Sequence, residues 1–146
     1  MALGMGVGNS SSFIGSVETA PTSPDFISTW DTTQAGSASD TIVLPMTAGV
    51  TVDWGDGNID TTNTHTYAIG GIYTITMSGS VTGFQFNDLG DKLKLTGVLN
   101  CGGLVLDSST MFYGCSNLAT WSATDAPTIT TTSLYRTFRE AGGFTG

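Results

Sequence analysis

Positive charge is what this sequence has least of: four Lys and Arg stand against twelve Asp and Glu, a formal net charge of −8. A surface of that sign repels nucleic-acid phosphates and anionic headgroups, which disfavours a nucleic-acid partner. Charged residues of either sign make up 11% of the chain, too few for exposed amphipathic helices, while Thr, Ser and Gly abound. That composition belongs to short strands and turns, so the expected class is mainly β. With one histidine, His65, there is no multi-His metal site, and the two cysteines, Cys101 and Cys115, lack the spacing of a metal knuckle. No apolar run is long enough to span a membrane. The nucleophile elbow G-x-S-x-G, the P-loop and H-E-x-x-H are missing too. The expectation is a non-enzymatic protein without a cofactor. A Cys115–His65 nucleophile pair is a weaker reading than packing of Cys115, and a carboxylate pair for glycoside cleavage depends on a spatial separation that sequence does not give.

The amino terminus, Met1 to Phe13, has no Lys or Arg before its apolar residues, and glycine interrupts them every second position. It fits neither a secretory signal peptide nor a membrane span, so export by the usual route is not expected. Leu3, Met5, Val7 and Phe13 form either a docking arm buried against another chain or a disordered tail. Residues 1–24 are read as arm and linker.

Beyond Phe26, Ile27 and Trp30, a polar loop from Thr32 to Asp40 precedes a β-rich segment, Thr41–Met46, which Pro45 marks as an edge or terminated strand. Val50, Val52 and Trp54 alternate with Thr51 and Asp53, the period of a half-buried strand. Gly55-Asp56-Gly57-Asn58 then forces a turn. Tyr73, Ile75 and Met77 alternate with Thr74, Thr76 and Ser78 as a second strand, and Val81–Phe86 is a third candidate. No helical period intervenes from Thr41 to Phe86, which predicts antiparallel sheets packed as a sandwich over residues 25–90.

The run Val52-Asp53-Trp54-Gly55-Asp56-Gly57, then His65-Thr66-Tyr67, then Gly71-Ile72-Tyr73-Thr74-Ile75-Thr76, closely resembles the signature of PKD domains. The family's WGDG, H-x-Y and G-x-Y-x-V elements appear in order, with Ile75 in place of Val. The resemblance implies an Ig-like β-sandwich acting as a surface spacer or binding module. Trp54, Gly55, Asp56, Gly57, His65, Tyr67 and Tyr73 are its structural signature. The alternative use of Asp53, Asp56 and Asp60 as Ca²⁺ ligands lacks the regular D-x-D-x-D-G spacing.

From residue 91 to 146 the pattern changes. Met111-Phe112-Tyr113-Gly114-Cys115-Ser116-Asn117-Leu118 returns in altered form from Thr137 to Phe144, with Phe112 recurring as Phe138, Cys115 replaced by Ala141 and Leu118 by Phe144. A period in the twenties marks a leucine-rich-like solenoid. The segment resembles the repeats of BspA-like surface proteins, with about two repeats visible and the second lacking its Cys. An end left so would be covered by further chain or by another subunit. Cys101 and Cys115 read as small buried residues, with a disulfide between them left open. Arg136 and Glu140 are expected to pair at i, i+4 on a short helical turn. Trp121, Tyr113 and Tyr135 offer either a sugar platform or core packing.

PKD-like modules followed by such repeats occur in bacterial surface proteins and phage virion proteins. The resemblance implies a virion component on the particle surface: a fibre, capsid decoration or tail-associated protein held to other virion subunits by its arm. Homo-oligomerisation is expected, with a host surface glycan or protein as a further partner. The alternative is a bacterial cell-surface adhesin.

Overall fold

The computed structural model describes residues 23–46 and 49–142. Leu3, Met5, Val7, Phe13 and Phe144 therefore lie outside the described residues. Within them the chain has no helix and ten strands: β1 (Phe26–Asp31), β2 (Thr41–Val43), β3 (Thr51–Asp53), β4 (Ile59–Asp60), β5 (Thr64–Thr66), β6 (Ile72–Ser78), β7 (Leu95–Asn100), β8 (Val105–Leu106), β9 (Thr120–Trp121) and β10 (Thr128–Ile129). The fold is mainly β, in sheets consistent with a sandwich.

Alternation decides which residues become strands. In β1, Phe26, Ser28 and Trp30 face inward and their neighbours outward, so one face packs and the other meets water. The polar member of that inner face is satisfied locally, with the Trp30 indole N–H donating to Ser28 Oγ at 2.9 Å. In β6 it is Ile75 and Met77 that turn inward. β1 pairs antiparallel with β6 on one side and β7 on the other, in a six-stranded sheet of order β4-β3-β6-β1-β7-β9. β2 and β5 form a separate antiparallel ladder, and its Ile42 joins the same buried cluster as Phe26, Trp54, Ile75, Val98, Phe112 and Leu118. One core thus runs from the first strand to residue 118, and the boundary drawn at 90/91 falls where the sheet continues from β1 into β7.

Val81–Phe86 is not a strand. Gly83 adopts φ 64°, outside the extended region, and breaks the ladder. What remains is a single parallel bridge from Val81 to Leu104, while Phe84 and Phe86 still bury their rings. Pro45 ends its segment as expected: β2 stops at Val43, and the Pro45 carbonyl accepts from the Gln85 amide.

The second half pairs in parallel. β7 meets β9 and β8 meets β10 in one shared register, Gly97 with Thr120, Val98 with Trp121, Val105 with Thr128 and Leu106 with Ile129. In the intervening turns the offset lengthens. The Phe86 amide donates to Met111 and that of Asp88 to Tyr113, and one pass later Phe112 donates to Thr137 and Gly114 to Arg139. Phe138 stacks on Phe112, centroids 5.5 Å apart and planes 4° apart. Successive passes of the chain are therefore paired in parallel, with Phe138 set over Phe112.

The Arg136–Glu140 pair does not form. Residues 135–140 make turns, Glu140 takes φ 55°, and its carboxylate meets Arg139 Nε at 3.3 Å. Arg136 lies over the Tyr135 ring instead.

Two charged groups absent from the sequence reading hold the halves together. Asp91 is buried; its Oδ1 accepts from the Ser37 amide, and its Oδ2 from the Ser37 hydroxyl and the Val43 amide, each at 2.7 Å. Lys94 is fully buried, and its Nζ donates to the carbonyls of Ala38 (2.7 Å), Thr41 (2.8 Å) and Ser37 (3.1 Å). Burial pushes its pKa below the ordinary lysine value, against the attraction of Asp91, Asp40 and Asp31. Replacing Asp91 with Ala strands two backbone N–H groups, and a hydrogen bond to a charged group contributes about 1.5–3 kcal/mol. Asp91→Ala is expected to lower stability by about 3 kcal/mol, read as a reduced urea midpoint at unchanged slope.

Candidate functional site

The densest grouping of polar and aromatic side chains surrounds the β3–β4 hairpin. Its turn needs glycine twice over at position 55: φ is 79° there, and a Cβ would collide with the Thr74 carbonyl oxygen on the neighbouring β6. The turn closes with the Trp54 amide donating to the Asn58 carbonyl at 3.0 Å. Each aspartate then caps backbone two residues on: Asp53 accepts from the Gly55 amide, Asp56 from Asn58 and Asp60 from Thr62, at 2.8–3.0 Å. Asp60 also accepts from the Trp54 indole at 3.2 Å.

Above the turn the signature aromatics form a continuous stack. Trp54 lies parallel to His65 at 5.0 Å, His65 meets Tyr67 edge-on at 4.6 Å, and Tyr67 stacks on Tyr73 at 3.7 Å. The Tyr67 hydroxyl donates to the Trp54 carbonyl at 2.9 Å, and burial, with the nearby Asp56 charge, drives that phenol far above its ordinary pKa. His65 Nε2 sits 2.8 Å from Asp56 Oδ2. Burial alone would raise the Asp56 pKa, but hydrogen bonds from His65 and Asn58 outweigh it and the net shift is downward. An ionised carboxylate only accepts, so Nε2 carries the proton.

Asp53, Asp56 and Asp60 are thus each occupied by their own turns, and among the described residues no three His, Cys, Asp or Glu groups converge as a metal site. Beside the stack an open cleft of about 480 Å³ is lined by Asp56, Asn58, Thr66, Tyr67, Ala68, Ile69 and Tyr73. It offers the Asp56 carboxylate, the Asn58 amide, the Thr66 hydroxyl and the edge of the Tyr67–Tyr73 pair.

The three aromatics considered as a sugar platform have different surroundings. Trp121 packs edge-on against Phe112 and Phe138, with centroids 5.6 and 5.5 Å away. Tyr113 lies under the Arg139 guanidinium at 5.5 Å. Tyr135 is 78% exposed. Cys101 and Cys115 are both free and buried. Burial raises the Cys101 thiol to about 11 and pushes Cys115 higher still, so neither is a poised nucleophile at neutral pH.

Sequence reading missed Asp125 as well as Asp91 and Lys94. Asp125 Oδ1 and Oδ2 accept from the Cys101 and Gly102 amides at 2.8 and 2.5 Å. Those two bonds hold its pKa below the usual range despite burial. Its sequence neighbourhood, Thr-Asp-Ala-Pro, carries no sign of a partner in the pass before it. Among the described residues no helix is long and apolar enough to cross a membrane.

Comparison with protein-family models, with curated proteins and with solved structures returns no match.

The carboxylates set an acid limit on stability. Asp56, Asp60 and Asp125 all have lowered folded-state pKa values, so their contribution is complete above the ordinary carboxylate range near pH 4 and is lost as pH falls through the lower folded values. Thermal midpoints should be level above about pH 5 and fall steeply below pH 4, with a shallower fall in Asp125→Asn. Gly55→Ala, strained in both φ and contact, should destabilise the protein by about 2 kcal/mol or more, measured by urea titration.

Proposed function

We propose that this chain is a non-enzymatic structural or attachment subunit on the surface of a phage particle, as fibre, capsid decoration or tail-associated protein. In this reading residues 25–90 are an Ig-like sandwich of the PKD kind, and the parallel-paired passes after residue 91 are the start of a leucine-rich-like solenoid. The observation that carries it is the way the hairpin uses its chemistry. The Trp54 indole, the His65 imidazole, the Tyr67 phenol and the carboxylates of Asp53, Asp56 and Asp60 are all bound to one another or to nearby backbone. A site built for turnover leaves a group poised toward substrate, whereas here the polar atoms stabilise a rigid bend. The scarcity of charge, the Gly-alternating segment at Leu3, Met5 and Val7, and Phe13 beyond it suit a subunit ordered against its neighbours through that arm. Homo-oligomers are the expected form.

A second reading, a bacterial cell-surface adhesin that binds a host glycan or protein, draws on the exposed Tyr135 with Arg136 stacked over it at 5.4 Å, since exposed aromatics form sugar platforms.

Mass spectrometry of virions produced by the genome that encodes this chain should return its peptides in fixed ratio to the major structural proteins; their consistent absence from purified particles would sink the virion reading. A glycan array separates the second reading. Binding lost in Tyr135→Ala and kept in Trp121→Ala would favour an adhesin with an exposed platform, and no binding by the wild-type chain would remove it.

A further inference from the structure

The cleft beside the aromatic stack is lined by two segments. The β3–β4 turn supplies Asp56 and Asn58, and the stretch from the end of β5 into β6 supplies Thr66, Ile69 and the Tyr67–Tyr73 pair. Polar atoms thus come mainly from the turn and apolar surface from the β5–β6 stretch. The volume of about 480 Å³ falls in the range of small-molecule sites, about 300–1,000 Å³.

The polar groups of the cleft are held by the protein and keep capacity for a ligand. Asp56 Oδ1 accepts from the Asn58 amide at 3.0 Å, and Oδ2 lies 2.8 Å from His65 Nε2. A carboxylate has about four lone-pair sites, so acceptor positions are left on a side chain that is 19% exposed. Asn58 is exposed, and its carboxamide both donates and accepts. The Thr66 hydroxyl is oriented by that of Thr41 at 3.0 Å. Tyr73 donates its hydroxyl to the Ile69 carbonyl at 2.6 Å, which fixes the backbone of a residue whose apolar side chain is 75% exposed. Groups oriented before a ligand arrives lower the ordering cost of binding it.

Charge narrows the class of ligand. Among the described residues that line the cleft none is Lys or Arg, and hydrogen bonds keep Asp56 ionised in a chain of net charge −8, so an anion is repelled. A small organic cation would be attracted, but an exposed ion pair contributes little, and a cation has no acceptor for the Asn58 N–H groups. A neutral ring bearing hydroxyls satisfies both halves of the cleft. Each hydroxyl donates to the carboxylate or accepts from the carboxamide, and the C–H face of the ring covers apolar and aromatic surface.

We propose that this cleft binds a neutral saccharide, one pyranose ring with adjacent hydroxyls on Asp56 and Asn58 and its C–H face against Ile69 and the edge of the Tyr67–Tyr73 pair. Occupancy gives the attachment subunit proposed above its ligand class, and rests on that reading for its purpose but not for the binding itself. An open site of this size binds one sugar at about millimolar Kd, and an oligomer raises the apparent affinity through avidity.

Nitrogen–proton correlation NMR of the full chain, titrated in EDTA with the methyl pyranosides of glucose, galactose, mannose and N-acetylglucosamine, reads the contact residue by residue. At least one of the four should shift the backbone amides of Asn58, Ala68, Ile69 and Tyr73 saturably. Asn58→Ala and Ile69→Ser should each weaken that sugar by about fivefold or more, with urea midpoints showing both variants folded. Absence of saturable shifts at these amides up to tens of millimolar sugar would overturn the proposal, as would unchanged affinity in either variant. Shifts confined to Tyr135 and Arg136 would move sugar binding to that surface and also overturn it. N-acetylneuraminic acid or choline shifting the cleft amides more strongly than every neutral pyranoside would refute the ligand class. None of these results bears on whether the chain is found in virions, which mass spectrometry decides separately.

Discussion

A buried carboxylate and a buried ammonium on one short stretch of chain, Asp91 and Lys94, hold the loop between β1 and β2 against the start of β7. Among the described residues neither has a partner of opposite charge within hydrogen-bonding reach. Both instead bind backbone, Asp91 the amides of Ser37 and Val43, Lys94 the carbonyls of Ser37, Ala38 and Thr41. Burying either charge without those bonds would cost several kcal/mol, so the loop conformation and the position of β7 are fixed by one another. β7 in turn lies beside β1 in the sheet and carries β9 on its other edge, which makes this junction the link between the antiparallel and the parallel halves.

The hairpin of the first half and the passes of the second solve the same problem differently. A short bend exposes amides that cannot pair within a ladder, and each must find an acceptor. In the hairpin the acceptors are local: aspartates two positions back in sequence serve Gly55, Asn58 and Thr62. In the stacked half they come from the following pass, with Asp107 accepting from Gly83 and Asp125 from Cys101 and Gly102. Side chains of one pass thereby fix the corner of the pass before it, and register is carried by polar contacts as well as by the Phe112–Phe138 stack.

The local features were the ones that could be read from the residues. β3 and β6 follow from alternation, the tight turn from Gly55-Asp56-Gly57-Asn58, and the end of β2 from Pro45, because each depends on neighbours within a few positions. The Val81–Phe86 strand failed since Gly83 adopts a positive φ that a period-two pattern does not register. The Arg136–Glu140 pair failed since i, i+4 proximity presupposes a helix that the turns at 135–140 do not form. The repeat was visible through Phe112 and Phe138, yet its strands pair at a shorter offset than its turns: Gly97 meets Thr120 while Phe112 meets Thr137. That difference takes three-dimensional pairing to see, because only the turns carry the recurring letters.

By itself, then, the sequence determined a mainly β chain of short strands and sharp turns, the location of the Trp54 bend, and a surface of negative sign, since these rest on composition and on contacts within one turn or one strand. Tertiary structure alone decided that both halves share one core, that Asp91, Lys94 and Asp125 are bound groups rather than solvated charges, and that Trp121 packs while Tyr135 is exposed. Those outcomes depend on atoms brought together from distant positions in the chain, where burial converts an ordinary side chain into an anchor and nothing in the neighbouring letters announces it.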